Sequence, residues 1–198
     1  MQTDKGDSGR LRCFIGMPIQ VHIRDALARA QAELRAVDVR ASWVAPEMMH
    51  LTAVFLGDIE PCLVDAIRER VSESLAGCPA LPCSIRGLGS FGGGTPRVLW
   101  AGVGGDDGPL KAVQARLAVA VRASGLVIED RPYTPHVTLG RVRSARGSST
   151  WLPVLTAHDT TLFGEQVIDA INLYQSHQEP SGAKYRVLHT WDLVGSPE

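Results

Sequence analysis

Two short segments of the sequence each place a threonine two residues after a histidine: HLTA at 50–53 and HVTL at 136–139. On a β-strand the side chains alternate between faces, so His50 would share a face with Thr52, and His136 with Thr138. An imidazole titrates near neutral pH, and two that face one another can act as base and acid in one turnover. A threonine hydroxyl can donate to a phosphoryl oxygen. The pattern therefore indicates cleavage of a phosphodiester by acid–base catalysis without a metal.

Two arginines after the second segment can supply positive charge to a phosphoryl transition state. Arg141 lies five residues after His136, an odd offset that would place it on the opposite face of a regular strand. A bulge or turn at Gly140 is therefore expected to redirect it toward the histidines. Arg143 also lies at an odd offset and is expected to matter less. If Arg141 does not supply this positive charge, Arg97 or Arg131 is the next candidate.

A structural reading competes with this interpretation, because a single histidine on a strand is usually a packing residue. Two copies, each on a strand candidate that a proline precedes, favour a site instead. No cluster of carboxylates, histidines and cysteines with metal-ligand spacing accompanies them, so no metal and no cofactor are expected. The glycines at 92–94 are followed by no helix and no lysine of a phosphate-binding loop, which indicates a turn.

The elements that must position these residues follow from apolar periodicity, which alternates between 2 and 3.6 residues. The third helix ends near Gly125, and a loop rich in Ser, Gly and Arg is expected at 144–150. Strands are predicted at 12–19, 50–57, 83–91, 97–103, 136–143, within 161–175 and at 185–193. Helices are predicted where apolar residues recur over 23–37, 63–75 and 110–121. Three helices and six or more short strands predict an α+β fold.

The two histidines stand 86 residues apart, close to half the length of the 198-residue chain. That spacing suggests two similar lobes, each contributing one strand to a shared cleft. The predicted organisation is a loose leader at 1–11, a single bilobal domain at 12–193 and a tail at 194–198.

Composition excludes several other classes. The formal net charge is −1, so no overall electrostatic attraction to nucleic acid or to an anionic membrane is expected. Three of the 20 basic residues are lysines, which leaves 17 arginines, the side chain that binds phosphate through a planar fork. No apolar stretch approaches the length of a membrane span, and the N-terminal ten residues lack the apolar region of a signal peptide. A cytoplasmic monomer with reduced cysteines is expected.

The flanking sequence resembles the RNA 2′,3′-cyclic phosphodiesterase (LigT-like, 2′-5′ RNA ligase) family of the 2H phosphoesterase superfamily. RCFIGMPI resembles the opening strand of that family, and PRVLWAGV its middle strand. RPYTPHVTLGR resembles the second motif, while INLYQS and YRVLHTWDL resemble the closing strands. The similarity extends from about residue 12 to 193. It implies a bilobal, pseudo-twofold α+β fold with antiparallel sheets lining a central groove and helices outside.

The resemblance also implies a reaction and a set of roles. The family opens a 2′,3′-cyclic phosphate at an RNA end to leave a 2′-phosphomonoester, without a metal. His50 resembles the proton donor to the leaving oxygen, and His136 the base that activates water. Thr52, Thr138 and Arg141 resemble the phosphate-binding residues, and Phe14 an aromatic that flanks the nucleoside. Met48 and Ala53 depart from the common Asn and Leu of the family.

Weaker predictions and two alternatives remain. Arg131 and Tyr133 precede the second motif and could contact ribose or a neighbouring phosphate. Trp100, Trp191 and Tyr185 are read as core or sheet cover. The expected partner is an RNA end or nucleotide that carries a 2′,3′-cyclic phosphate. The same site could instead act on another cyclic or 2′-5′-linked nucleotide, such as an ADP-ribose cyclic phosphate, or serve as a nucleotide-binding module without catalysis. Intact histidines and threonines argue against the latter.

Overall fold

Nine β-strands and four α-helices form the part of the chain that the computed structural model describes, residues 9–37, 40–93, 96–130, 132–143, 150–179 and 182–195. The strands are β1 (Leu11–Pro18), β2 (Ala41–Trp43), β3 (His50–Ile59), β4 (Leu81–Phe91), β5 (Val98–Gly104), β6 (His136–Val142), β7 (Leu162–Ile168), β8 (Ala170–Glu179) and β9 (Gly182–Asp192). The helices are α1 (Val21–Ala36), α2 (Leu63–Leu75), α3 (Gly108–Ala123) and α4 (Leu152–Ala157), and one 3₁₀ turn spans Pro46–Met48.

The strands join into one antiparallel sheet with the order β7-β4-β5-β6-β3-β1-β8-β9, and β2 pairs with β6 as the ninth strand. Four strands of this order lie on each side of the junction between β6 and β3, and β2 adds a fifth to the β6 side. That junction pairs only Leu51 with Val137 among the described residues. The arrangement confirms the α+β fold with two related halves, and each half supplies one of the two central strands.

Helices α1 and α3 hold the two halves together from outside the sheet. Helix α1 buries Ile23, Leu27 and Leu34, and it packs on β7 of the opposite half. A Cβ on Gly164 of β7 would lie 2.8 Å from a side-chain carbon of Ile23, so glycine allows this close contact. Helix α3 follows β5 but contacts β3. Because each helix crosses to the other half, helix packing fixes how β3 and β6 meet.

The described helices include none with both the length and the apolar character required to cross a membrane.

The structure departs from the sequence prediction in its shortest elements. The prediction of three helices missed α4, whose six residues are too few to show helical periodicity, and it missed the three-residue strand β2. The strand candidate at 161–175 is divided at Asp169 between β7 and β8. Val194 pairs with Pro79, so the fold continues one residue into the expected tail, and Leu11 of the expected leader begins β1. The predicted loop at 144–150 lies almost wholly outside the described residues.

Candidate active site

The single pair that joins the two halves also aligns the two His-x-Thr segments. Leu51 and Val137 are fully buried, so their neighbours on each strand point to the opposite, groove-facing side. Extended by one residue each way, the antiparallel register sets His50 against Thr138 and Thr52 against His136. The histidines thus occupy diagonal positions, which lie about 7–8 Å apart in an antiparallel pair. The structure brings together the four residues on which the sequence analysis depends.

Both imidazoles are held in the same way by the backbone. Nδ1 of His50 lies 2.8 Å from the carbonyl oxygen of Met48, and Nδ1 of His136 lies 2.8 Å from that of Thr134. A carbonyl only accepts hydrogen bonds, so Nδ1 must carry a proton and donate it, which leaves Nε2 as the atom that gains or loses a proton. Nε2 of His50 lies 3.0 Å from the hydroxyl oxygen of Thr52. Each histidine therefore presents Nε2 for proton transfer.

The surroundings of both histidines favour the neutral imidazole. Burial is the largest cause and lowers the pKa of His50 below its ordinary 6.5; the charges of His136 and Arg141 lower it further. Burial also lowers the pKa of His136, again with a contribution from Arg141. The hydrogen bonds to Met48 and Thr134 act in the opposite direction but do not reverse these shifts. A bound phosphate would add negative charge and raise both pKa values.

Aromatic rings support His50 from the side of β1. The ring of Phe14 stacks on His50 with centroids 4.6 Å apart and on Tyr174 at 4.9 Å. Tyr185 meets His50 edge-on at 5.1 Å. Gly16 makes this packing possible, since a Cβ there would lie 2.9 Å from the carbonyl oxygen of Leu51, would press on the Phe14 ring and would contact the His50 ring. The His50 side chain is thus fixed by its neighbours before any ligand binds.

A second aromatic group supports His136 from the side of β5. Phe91 meets His136 edge-on with centroids 4.8 Å apart, and Phe91 also contacts Trp100. Trp100 lies opposite Thr138, and its ring covers Gly89, where a Cβ would lie only 2.4 Å from the indole. The indole nitrogen of Trp100 is buried, and the part of the chain that the structure describes supplies no hydrogen-bond partner for it. The two halves therefore surround their histidines in similar ways but with different aromatic residues.

Strand β6 contains the bulge that the position of Arg141 requires. Trp100 pairs with Thr138 and Leu99 with Gly140, so Leu139 is an extra residue on β6. A Cβ on Gly140 would lie 2.8 Å from the Trp43 ring, which explains the glycine. Past the bulge Arg141 is exposed, and its charge lowers the pKa of both histidines. The expected bulge at Gly140 is confirmed. Arg143 instead donates from Nε to the Ser42 hydroxyl.

The structure places Tyr133 away from the groove, and it places Phe14 beside His50 with little exposed surface. The hydroxyl of Tyr133 is buried and has no hydrogen-bond partner among the described residues, and burial together with Cys83 and Asp107 raises its pKa. Because Cys83 and Asp107 lie at the start of β4 and next to α3, the hydroxyl is enclosed by the core rather than directed at a ribose. Phe14 is only 4% exposed and supports His50, which leaves little of its ring for a nucleoside. Arg131 lies outside the described residues.

The sequence analysis missed three residues that belong to this site. Tyr185, read there as sheet cover, contacts both Phe14 and His50, and Tyr174 stacks on Phe14. Phe91 contacts His136. One signal was available for Tyr174: along β8, Asn172 and Tyr174 alternate with the fully buried Ile171 and Leu173, which places both on the groove side. Trp191, by contrast, is a core residue as predicted.

The described residues contain no group of three or more His, Cys, Asp or Glu side chains arranged to hold a metal ion. The two anchored imidazoles, beside hydroxyl and guanidinium donors, can perform proton transfer.

Two His-x-Thr strands that meet at the centre of a pseudo-twofold antiparallel sheet define the 2H phosphoesterase class. The profile of the 2′-5′ RNA ligase superfamily matches residues 22–180, and the chain belongs to that superfamily.

Individual relatives agree with this assignment. A curated protein from Thermotoga maritima, named RNA 2′,3′-cyclic phosphodiesterase, is 27% identical over 93% of this chain and 97% of its own length. A protein of the same name from Thermus thermophilus is 31% identical over 93% of this chain and 91% of its own length. A crystal structure from Thermus thermophilus superposes with a TM-score of 0.75 at 27% identity, covering 93% of this chain and 99% of that one. The protein is accordingly an enzyme of the phosphodiesterase class.

Proposed function

We propose that the chain hydrolyses RNA 2′,3′-cyclic phosphate ends to 2′-phosphomonoesters, with His136 as the base, His50 as the acid and no metal ion. The observation that carries this proposal is the matched anchoring of the two imidazoles, each with Nδ1 on a backbone carbonyl at 2.8 Å, which leaves Nε2 as the atom that can gain or lose a proton. The relatives named RNA 2′,3′-cyclic phosphodiesterase support the substrate class. The assignment of acid and base follows the family resemblance, since the geometry of the two histidines is nearly symmetric.

The reaction balances with these two groups alone. Nε2 of neutral His136 takes a proton from water as the water oxygen bonds to phosphorus. The bond from phosphorus to the 3′ oxygen breaks, and its electron pair stays on that oxygen. Nε2–H of protonated His50 donates a proton to the departing oxygen. The product is a 2′-phosphomonoester with a free 3′ hydroxyl, and one later proton exchange with solvent restores both histidines.

The proton on His50 requires an explanation, because burial lowers the pKa of this residue. The cyclic phosphodiester carries a negative charge, and its binding beside His50 favours the imidazolium form. Substrate binding thus raises the pKa of the acid when the proton is needed. In the free site Nε2 is paired with the Thr52 hydroxyl at 3.0 Å. We expect that hydroxyl to turn to a phosphoryl oxygen on binding, with Thr138 doing the same from the other strand.

Arg141 completes the proposed phosphate site. Its guanidinium is exposed, and no described carboxylate forms an ion pair with it. It therefore stays available for the charge that develops on the non-bridging oxygens. Hydrogen bonds from a charged donor are roughly twice as strong as neutral ones, and the planar fork of arginine can engage two phosphoryl oxygens.

The test is a substrate panel assayed with the purified protein. The panel contains an RNA with a 2′,3′-cyclic end, mononucleoside 2′,3′-cyclic phosphates, ADP-ribose cyclic phosphate and 2′-5′ dinucleotides, and ³¹P NMR identifies the product. We expect the RNA end to yield the 2′-phosphomonoester, with activity unaffected by EDTA. His50→Ala and His136→Ala should each reduce kcat by about 10²- to 10⁴-fold. His177→Ala, an exposed histidine on β8, is the matched control and should keep wild-type activity.

Three results would contradict the proposal. Formation of the 3′-phosphomonoester would show that the 2′ oxygen, and not the 3′ oxygen, is the leaving group. Loss of activity with EDTA and its return with one metal would place the enzyme in another mechanistic class. Binding of the panel without any turnover would favour a nucleotide-binding module.

A further inference from the structure

Gln31 is the most deeply buried polar side chain among the described residues, at 3% exposed. It lies on α1 next to Ala30 and between Leu27 and Leu34, all three of them buried. Burying an amide without hydrogen-bond partners destabilises the folded chain, so a glutamine at this position must satisfy a specific need. The hydrogen-bond partners of the Gln31 amide show what that need is.

The Gln31 side chain donates two hydrogen bonds, both from Nε2 and both 2.8 Å long, to the carbonyl oxygens of Val44 and Leu139. Leu139 is the extra residue of the bulge in β6. Its carbonyl oxygen also accepts from the backbone nitrogen of Val44 at 2.9 Å. Among the described residues no other side chain hydrogen-bonds to the backbone of this bulge. Gln31 therefore ties the bulge to the segment that follows β2.

The bulge in turn decides where Arg141 points. In a regular strand a residue five positions after His136 would face the core, on the side of Val137 and Leu139. The extra residue returns Arg141 to the groove side, where its charge acts on both histidines. A bulge leaves backbone groups outside the regular ladder, and these need partners from elsewhere. The amide of Gln31 supplies one from inside the core.

We infer that Gln31 is a positioning residue for Arg141, because it fixes from the core the β6 bulge that directs the Arg141 guanidinium into the groove. The consequence for catalysis rests on the proposed function, whereas the geometric claim does not. Gln31 itself is buried beneath the sheet and does not touch the substrate.

The test is a double-mutant cycle between Gln31→Met and Arg141→Ala. Methionine keeps the length of glutamine but cannot donate to either carbonyl. We expect Gln31→Met alone to lower kcat/KM for the cyclic-phosphate substrate by about 10-fold, since displacement of a catalytic group by 1 Å costs up to about 100-fold. In the Arg141→Ala background the same change should cost less than about 2-fold, because there is no guanidinium left to misplace.

Gln166→Met provides a matched control. Gln166 is also buried, at 7% exposed, and it also joins two backbone groups: it accepts from Gln20 N at 2.8 Å and donates to Pro18 O at 3.1 Å. It lies on β7 and does not contact the β6 bulge. Loss of the Gln166 hydrogen bonds and loss of the Gln31 hydrogen bonds should both lower the melting temperature. The effect of Gln166→Met on kcat/KM, however, should be the same with or without Arg141.

A second readout does not require turnover. The pKa of His136, followed by NMR titration of its ring protons, should rise in Arg141→Ala because a nearby positive charge is removed. It should rise in Gln31→Met as well, and stay unchanged in Gln166→Met. If the protein hydrolyses nothing on the panel but these shifts occur, the proposed function fails and the positioning role stands.

The inference is wrong if folded Gln31→Met keeps the wild-type His136 pKa. It is also wrong if the loss of kcat/KM in the double variant equals the product of the losses in Gln31→Met and Arg141→Ala. Should Gln31→Met fail to fold by circular dichroism, Gln31→Asn replaces it. Asparagine retains an amide in the core but is one methylene too short to reach both carbonyl oxygens, so it is expected to give the same two signatures.

Discussion

Gly16→Ala tests whether the preformed support of His50 is part of the site. A methyl group at this position would lie 2.9 Å from the carbonyl oxygen of Leu51, 3.3 Å from the Phe14 ring and 3.4 Å from the His50 ring. Ordinary contact begins at about 3.4 Å, so the strands or the rings must separate by about 0.5 Å. Leu51 belongs to the backbone that carries His50, and the Phe14 ring stacks on the imidazole. The displacement therefore reaches the catalytic nitrogen.

A 1 Å misplacement of a catalytic group costs about 100-fold, so a displacement of half that size should reduce kcat/KM by about 10-fold. Gly104→Ala is the matched control, because a Cβ there meets the side chains of Arg86 and Ser84 at 2.9–3.1 Å, at the end of β5 away from β3. Both variants should lose roughly 1–3 kcal/mol of folding stability from overpacking. The assays are steady-state hydrolysis of an RNA 2′,3′-cyclic end and thermal unfolding. The reasoning fails if folded Gly16→Ala keeps kcat/KM within about twofold, or if Gly104→Ala loses as much activity.

Three further predictions concern charge and protonation. Arg141→Ala should lower kcat/KM by roughly 10- to 100-fold, the value of a lost hydrogen bond from a charged donor, and Arg141→Lys should recover only part of it; an unchanged rate in Arg141→Ala would remove this residue from the site. The pH profile of kcat/KM reports the pKa values of the free enzyme, so its optimum should lie below pH 6.5 because both histidine pKa values are lowered. Limbs of this profile that depend on the histidines but are centred above pH 7 would contradict the prediction. Between the folded pKa values of the two histidines and 6.5, the unfolded chain binds more protons than the folded one, so the free energy of unfolding should fall as the pH drops through that window. A series of melting temperatures across this pH range should show a smaller fall for His50→Gln than for the wild type.

The sequence predicted where these side chains lie because a strand has a simple geometry. A period of two residues suffices to set His50 beside Thr52 and His136 beside Thr138, and the odd offset of Arg141 suffices to require a bulge. The β6 bulge is present next to Gly140, where the absence of a Cβ leaves room for the Trp43 ring. Each of these inferences uses residues close together in sequence, which is why no knowledge of the fold was needed.

The residues that sequence reasoning missed all depend on pairings between distant segments. Tyr185 reaches His50 only because β9 follows β8, and β8 pairs with β1. Tyr133 was expected beside the second motif because it lies three residues before His136, yet its hydroxyl is enclosed near Cys83. Gln31 looked like any polar residue of an amphipathic helix, since nothing local shows that its face of α1 meets a bulge. Register across a sheet is not contained in the period of any one strand.

The division of the site between two halves bears on how acid and base stay aligned. One pair, Leu51 with Val137, joins β3 to β6 among the described residues, and a contact of that size would not by itself hold two imidazoles at a fixed separation. Helix α1 supplies the missing constraint. Its start is tied to β7 through Gln166, and Gln31 in its last two turns is tied to β6, while β1, which leads into the helix, pairs with β3. The same helix therefore connects the strand of the acid, through β1, to the strand of the base, so loss of its buried apolar packing, as distinct from loss of either glutamine contact alone, should disturb the His50–His136 separation before it unfolds either half.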